Sequence, residues 1–478
     1  MTGRRILLPY ILLAFPVLLS AQASQNQAIA LEYARQALDL LQDDLREEAY
    51  LLAGRGLGFD DTSSDLHYLR AVSSAHRQRE TSAVREHLEE ALSLDTWRLI
   101  DAQDGIRSLL SLLLRTGDTA AAEELLPSLR FRRAVDYRLA AQILRLSGAF
   151  AEADAAIARG RRLYPQDPGL FRYGLSLDRA AEPEERRWID RNASEDPDYL
   201  AALLDFILVS PSGRERRELL ERYFAAGGAH PMAYAAAVEA AGDNPGPALS
   251  RFIDAEAYFD RSALRLVHRV VAGGAEAERL AAAVGTASGT VVEDANRDGF
   301  FESRMVLRNG RLVGWEVDRE TDGRIEWQLE FADGVPVRAE HTVDGESYRV
   351  RFFDYPEASA VTFVTLPGNP TYHLIPASTD YTVVPPASVR DTDTLELLVS
   401  LQVDDAPSIL SPERVVRSSY LVDFQGADGR QSARVLIDGA NPVRRFEDST
   451  GNGRIDRVLD YEDGVLVAGV ADPDEDGY

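Results

Sequence analysis

The 478-residue chain contains no cysteine. That excludes structural disulfides, thiolate metal sites, cysteine nucleophiles and an acylated N-terminal cysteine. It contains no lysine either, so all 52 basic residues are arginine. A P-loop, which needs a lysine, is thereby excluded. Arginine without lysine reads first as GC-rich coding. With the acidic excess it also fits a salty habitat, where a hydrated acidic surface keeps a protein soluble. The net charge of −26 argues against nucleic acid, because phosphate binding needs a basic face. Beyond the N-terminal segment, no stretch approaches the ~20 apolar residues of a transmembrane helix. What is plentiful is hydrophobic residue, 45% of the chain, which makes the composition globular and the length suited to two or three domains.

The first 23 residues read as a targeting segment. Arg4 and Arg5 form a charged start, Ile6 to Leu19 is apolar, and Ala21-Gln22-Ala23 is a small-x-small cleavage site. This is the pattern of a Sec-type signal peptide cut after Ala23. An uncleaved anchor is the alternative, but the run is short and holds Pro9 and Pro16. The expectation is an exported protein in the periplasm, outside the cell or at its surface, with no integral membrane segment after cleavage.

Two periods divide the rest. Residues 24–285 are rich in Ala, Leu, Arg and Glu and follow a helical spacing, as in Ile29, Tyr33, Ala37 and Leu41. From Val291 onward alternation takes over, as in Trp327-Gln328-Leu329-Glu330-Phe331, and Asp-Gly and Asn-Gly turns recur. Gly285 to Thr290 is small and polar, a linker composition. Residues 291–478 hold 36 acidic residues and 18 arginines, a net of −18, whereas the longer remainder carries only −8.

In the helical half, the clearest unit spans Ala134 to Asp167. Tyr137, Ala140, Ala141 and Leu144 line a first helix, Gly148 ends it and Phe150 follows. Ala153, Ile157 and Gly160 line a second helix that stops at Pro165. This unit resembles a tetratricopeptide repeat, with Ile157 where the family usually has an aromatic. Leu110 and Leu113, Gly117, then Ala122, Leu126 and Leu129 make a looser unit, with Gly117 and Gly148 31 residues apart. Tyr68, Val72 and Ala75 with Val84, Leu88 and Ala91 make a third, with Arg79 at the turn. Tyr199 to Pro231, broken at Ser210-Pro211-Ser212-Gly213, is a fourth. Units of this kind are half covered by their own partner helix and must stack on neighbours. The resemblance implies an α-solenoid that takes a protein or peptide on its concave face; the bland alternative is a spacer or platform.

The second half carries two pairs of repeats, spaced 24 residues apart within each pair. Asp294-Ala-Asn296-Arg-Asp298-Gly299 with Glu302 recurs as Asp318-Arg-Glu320-Thr-Asp322-Gly323 with Glu326. Asp448-Ser-Thr450-Gly-Asn452-Gly453 with Asp456 is a third copy, and Asp472, Asp474 and Asp476 before Gly477 begin a fourth. Asn309-Gly310, Asp333-Gly334 and Asp463-Gly464 occupy equivalent places, followed at equal distance by Val313, Val337 and Val467. One unit is therefore an acidic loop, a strand, a two-residue turn with positive φ angles and a returning strand. Oxygen ligands at every second position with a Gly at the bend resemble the first half of a calcium loop. The bidentate acid at the twelfth position is missing, since Met305, Leu329 and Leu459 stand there. Glu302, Glu326 and Asp456 are candidates to close the site instead. The competing reading is an Asx turn, in which side-chain oxygens bond the local backbone. It accounts for one or two acids per loop and leaves the full alternation unexplained. Calcium is the expected cofactor, with affinity of order 10⁻⁴–10⁻³ M for so incomplete a ligand set.

Between the repeat pairs, Tyr348 to Phe353, Ala360 to Leu366 and Leu395 to Val403 read as strands. Asp344-Gly345, Asp428-Gly429 and Asp438-Gly439 read as turns, and Val384-Pro385-Pro386 as a break. A meander curled into a barrel or sandwich is the expectation.

No catalytic motif stands out. The seven histidines (His67, His76, His87, His230, His268, His341 and His373) include no metal-spaced pair, with His76 and His87 expected to be exposed or stacking. Gly54-Arg-Gly56-Leu-Gly58 reads as a helix break. Trp315 and Trp327 fit a core better than a ligand patch, and Trp97 and Trp188 are scattered.

The sequence thus predicts an α+β multidomain protein: signal peptide 1–23, tetratricopeptide-like α-solenoid 24–285, then an antiparallel β-meander of repeated hairpins. The meander divides into a loop-bearing pair at 286–344, a middle segment at 345–445 and a last repeat at 446–478. The expected function is a non-enzymatic interaction scaffold. The alternatives are a glycan-acting envelope hydrolase and a purely structural surface protein.

Overall fold

The computed structural model describes residues 7–175, 183–211, 213–343, 346–354, 357–364, 371–374, 393–401, 420–425, 431–438 and 441–472. The turns expected at Asp344-Gly345 and Asp428-Gly429, the break at Val384-Pro385-Pro386, and Asp474 and Asp476 lie outside these residues.

Among the described residues, sixteen α-helices precede the first strand. They are α1 (Leu7–Gln42), α2 (Arg46–Leu57), α3 (Ser64–Ser74), α4 (Thr81–Leu94), α5 (Ala102–Arg115), α6 (Thr119–Leu125), α7 (Ala134–Leu146) and α8 (Phe150–Leu163). There follow α9 (Pro168–Leu175), α10 (Pro183–Arg191), α11 (Pro197–Val209), α12 (Arg214–Ala225), α13 (Pro231–Ala240), α14 (Gly246–Asp254), α15 (Arg261–Val271) and α16 (Ala275–Val284). Helix α1 runs through the expected cleavage point after Ala23. No helix is long and apolar enough to cross a membrane among the described residues.

Side-chain caps start many of these helices. Asp101, Asp118, Asp196 and Asp260 each accept a backbone N–H from the first turn, satisfying donors that have no intrahelical partner. From α1 to α8 each helix packs on the next, and α1 on α3, α5 on α7, α7 on α9 and α9 on α11 pack across one intervening helix. This is the stacking of an α-solenoid. Within the clearest unit Tyr137, Ala140, Ala141, Ala153 and Ile157 are buried as expected. Gly160 is needed for closeness: a Cβ there would lie 2.8 Å from the Tyr137 Cβ. Gly117 and Gly148 turn the chain at φ 72° and 80°.

Polar links tie successive units at a steady spacing. The buried Asp65 accepts N–H bonds from Arg98, Leu99 and Ile100, 33 to 35 residues on. Arg85 pairs with Asp118 and Arg172 with Asp205, each 33 residues on, and Tyr173 reaches Ala141 O across 32. This spacing matches the ~34-residue period of the family that the sequence resembles.

The second half is a 13-stranded antiparallel sheet in strictly sequential order. Its strands are β1 (Gly289–Glu293), β2 (Ser303–Arg308), β3 (Arg311–Val317), β4 (Trp327–Ala332), β5 (Val335–Val343), β6 (Glu346–Asp354) and β7 (Glu357–Phe363). They continue with β8 (Thr371–Leu374), α17 (Thr394–Ser400), β9 (Tyr420–Gln425), β10 (Gln431–Asp438), β11 (Asn441–Glu447), β12 (Arg457–Glu462) and β13 (Val465–Ala471). Among the described residues the order is linear and does not close on itself, so the meander is open and not a barrel. The fold is therefore α+β, a solenoid of helical hairpins followed by an antiparallel meander.

One expectation about this half needs correction. The strand expected at Leu395 to Val403 is the helix α17. Asp393 caps it by accepting from Glu396 N at 2.8 Å, and Leu395, Leu397, Leu398 and Leu401 are buried in a helical pattern that breaks alternation. Its terminal carbonyls are held by arginine: Arg261 Nε donates to Leu398 O at 2.7 Å and Arg265 Nε to Val399 O at 3.0 Å. Packing divides the chain into one unit of Met1–Pro211 with Glu218–Gly228 and Glu320–Arg324, and another of Ser212–Arg217, Ala229–Arg319 and Ile325–Tyr478. Helix gives way to strand between 285 and 288, as read from sequence. Yet Val238, Phe252, Val267 and Leu280 from α13–α16 share one core with Met305, Trp315, Leu329, Val350 and Leu398. The last helices cover the sheet because its inner face would otherwise leave Trp315 and its neighbours in water.

The repeated valines acquire a role here. In β2–β3, Val306 pairs with Gly314 and Leu307 with Leu312, so Val313 is the extra residue of a β-bulge. Val337 and Val467 are skipped in the same way. The bulge lets Leu312 and Trp315, three residues apart, face the same core. Hairpin β10–β11 carries an equivalent bulge at Val443.

Candidate functional site

In a sequential meander, every odd-to-even connection falls at one end of the sheet. The loops after β1, β3 and β11 therefore share that end, and the two-residue turns share the other. The turns have the conformation expected: Asn309, Asp333 and Asp463 lie at φ 48–51°, and the following glycines at 70–81°.

The three acidic loops are near copies. Their fourth and sixth residues have positive φ in every case: Arg297 and Gly299, Thr321 and Gly323, Gly451 and Gly453. The first acid folds the loop over itself. Asp294 accepts from Asp298 N and Gly299 N at 3.1 and 2.9 Å, and Asp448 from Asn452 N and Gly453 N at 3.1 and 2.7 Å. The fifth residue accepts from the seventh: Asp298 from Phe300 N, Asp322 from Arg324 N, Asn452 from Arg454 N, at 2.8–2.9 Å. The ninth accepts from the second: Glu302 from Ala295 N, Glu326 from Arg319 N, Asp456 from Ser449 N, at 2.9–3.0 Å. Three acceptors in the first and third loops, and Asp322 and Glu326 in the second, thus have backbone partners.

Electrostatics separates the copies. Desolvation pushes the Asp448 carboxyl up, but the N–H groups of Gly453, Gly451 and Asn452 outweigh it and hold it below its ordinary value. Asp456 is likewise held low, chiefly by Ser449 N. Glu302 goes the other way. Burial raises it, and the nearby negative charge of Asp294 and Asp298 adds to the rise against the bond from Ala295. Among the described residues, Asp318, Asp322 and Glu326 are the acids whose carboxylate oxygens converge within 4.8 Å of one another. Asp318 is buried, the other two half-buried, and Glu320 is exposed beside them. Asn296 donates to Asp298 at 3.2 Å, Thr450 to Asp448 at 3.3 Å, and Asp472 N bonds Asp456 O at 2.7 Å. A hard cation with oxygen ligands fits the Asp318 loop best of the three.

Other sequence candidates resolve into structure. Trp315 is buried and donates to Ser303 Oγ at 2.8 Å, and Trp327 stacks on His341 at 4.0 Å. Gly54 and Gly56 lie inside α2 and do not break it. A Cβ at Gly56 would come within 2.8 Å of Leu66, so this glycine serves close helix contact. His87 is neither exposed nor simply stacked: it bonds both His67 and Arg70. A cavity of about 580 Å³ touches Asp333 and Asp393, with Arg311 paired to Asp333. On the helical unit a smaller one of about 240 Å³ has Trp188, stacked on Phe171, in its wall.

No family model matches the chain, and no curated protein matches it. Solved chains that are similar include one described as the functional characterization of Pseudomonas aeruginosa pilF, at 16% identity and TM-score 0.29, covering 54% of this chain and 99% of that one. YrrB, described as a TPR protein with an unusual peptide-binding site, is similar at 15% identity and TM-score 0.29, over 44% of this chain and 96% of that one. The structure of Naa15/Naa10 bound to HypK-THB is similar at 16% identity and TM-score 0.21, over 58% of this chain and 41% of that one.

Proposed function

We propose that this chain is an exported interaction scaffold: a solenoid that docks a protein or peptide, joined to a β-repeat unit stiffened by calcium. The observation that carries the docking role is the stack of hairpins linked at 32 to 35 residues, with Leu146, Phe150 and Leu163 left exposed on the clearest unit. A stacked array offers a long surface on which an extended partner can lie. Export is supported by the charged start, the apolar run and Ala21-Gln22-Ala23. Expression with the leader in a two-membrane bacterium should yield a periplasmic protein whose mass begins at Ser24; an intact N-terminus in the cytosol would sink export. Mature protein on a support should retain a partner from an envelope fraction. Leu146→Asp with Phe150→Asp should release it while leaving circular dichroism unchanged, and retention indifferent to these changes rejects the docking role.

Calcium is favoured by the convergence of Asp318, Asp322 and Glu326. Binding would neutralise charges that otherwise repel by roughly 1 kcal/mol per close pair even in water. Calorimetric titration of the mature chain should show millimolar-range binding with a rise in melting temperature. Asp318→Asn with Asp322→Asn should abolish both, and a chain silent to calcium and to chelator would leave the loops as turns alone.

A further inference from the structure

We propose that His67, His87 and Arg70 form a closed proton chain that makes the α3–α4 hairpin an acid-sensitive joint of the helical array. Helix α3 carries His67 and Arg70, and α4 carries His87. Arg70 Nε–H donates to His87 Nε2 at 3.1 Å. That nitrogen is therefore bare, and the His87 proton sits on Nδ1, 3.1 Å from His67 Nδ1. His67 Nδ1 accepts it, so the His67 proton sits on Nε2 and is given to the Asp61 carbonyl at 2.9 Å. Both tautomers follow from the bonding pattern. Arg70 is fixed in turn: its Nη2 donates to Tyr50 Oη at 3.0 Å and its guanidinium lies 4.3 Å over the Tyr50 ring.

Each ring nitrogen is used once, with one proton per ring, and the chain has no place for another. A proton added at His87 Nε2 would face the Arg70 donor. One added at His67 Nδ1 would face the His87 donor. Either breaks a link by setting two donors face to face, and the first also brings two cations about 3.1 Å apart. The groups acting on the pair are Arg70 on α3, Glu86 on α4, Tyr50 on α2 through Arg70, and the Asp61 carbonyl from the preceding loop; Arg77 shares the Tyr50 ring at 5.3 Å. Burial, then His67 and Arg70, hold His87 below its ordinary value against the pull of Glu86. A histidine lowered in the folded state binds its proton preferentially when unfolded. The stabilisation is present above the ordinary histidine value and is lost as pH falls from there towards the folded value. A divalent cation between the two Nδ1 atoms would push the His87 proton to Nε2, against Arg70, so the geometry favours the proton chain over a metal.

The test is hydrogen exchange of the full mature chain at pH 7.5 and 5.0, read by mass spectrometry and corrected for intrinsic rates. Segment 64–94 should exchange about tenfold faster in acid, while α7–α8, which has no histidine, stays unchanged. His87→Gln and His67→Gln should each cut the acid response to under about twofold. Equal protection of 64–94 at both pH values overturns the proposal on the unaltered protein alone. An acid response that spreads equally to α7–α8, or that survives in both variants, overturns it too. Nitrogen-15 spectra at pH 7.5 should show one Nδ1–H and one Nε2–H ring for the pair; two Nε2–H rings reject it.

Discussion

The helical and the stranded repeats solve one problem, how to stack units that cannot bury a face alone, by different means. The helical units are tied by side chains, such as Asp65 to the backbone of Arg98–Ile100 and Arg172 to Asp205. The stranded units are tied by backbone ladders, and their period is held by residues at positive φ. Many side chains can supply a link. Few residues tolerate φ near 50–90°, and glycine, asparagine and aspartate lead them. The first kind of repeat therefore drifts in sequence, and the second stays literal.

The sharpest way to break this contrast is to remove a helical link. Asp136 is fully buried and accepts from Arg107 Nε at 2.5 Å and from Arg132 N and Arg133 N at 2.7 and 2.6 Å. Asp136→Ala leaves the buried Arg107 guanidinium with Asp104 alone, takes the acceptor from Arg132 N and Arg133 N, and should cost about 3 kcal/mol in urea unfolding. In the sheet, the same turn should give unequal answers. Gly310 packs against the end of α16, where a Cβ would fall 1.9 Å from Gly285 O, so Gly310→Ala should lower stability by about 2–4 kcal/mol. Gly334 has the same turn role at φ 81° with open space around it. Gly334→Ala should cost about 1 kcal/mol, and equal losses in melting at both sites would contradict the contact. Thr321 is a β-branched residue at φ 50°, with a buried hydroxyl that has no partner, where the third loop has Gly451. Thr321→Gly should stabilise by about 1 kcal/mol in thermal melts. Least in size is an acid effect on the loop at 448–456. Asp448 and Asp456 are held low, so their contribution is present above the ordinary aspartate value and lost only as pH falls through the folded values. Exchange in that loop should stay slow down to about pH 4, and early loosening would contradict it.

This contrast also explains what could be read beforehand. The stranded unit was legible residue by residue because Asn309-Gly310 and its counterparts must have positive φ. The bulge valines were visible as a spacing, and their meaning needed the pairing register. In hairpin β10–β11 the sequence offers Asp438-Gly439 as the turn, one place earlier than the pairs before the other bulges, so its bulge residue Val443 falls outside the repeat's spacing. Only Ala134 to Asp167 stood out among the helices, since Gly160 against Tyr137 is one of the few contacts there with a strict size limit. The run Leu395 to Val403 misled because its leucines suit either element, and the adjacent Leu397 and Leu398 were the clue that two faces were not alternating. The chain His67–His87–Arg70 is beyond sequence altogether: His87 stands 17 and 20 residues from its two partners and meets them only when α3 lies on α4.

The bulged hairpin has a consequence for how such a chain changes over generations. One 24-residue unit contains two strands and one extra residue. Two strands return the polypeptide to the end of the sheet from which it set out, and the extra residue restores which side chains point inward. Duplication or loss of a whole unit would leave every remaining acidic loop at its former end and every core residue on its former side. Length is thus a free variable of the β half, adjustable in whole hairpins without reassigning a single neighbour's role.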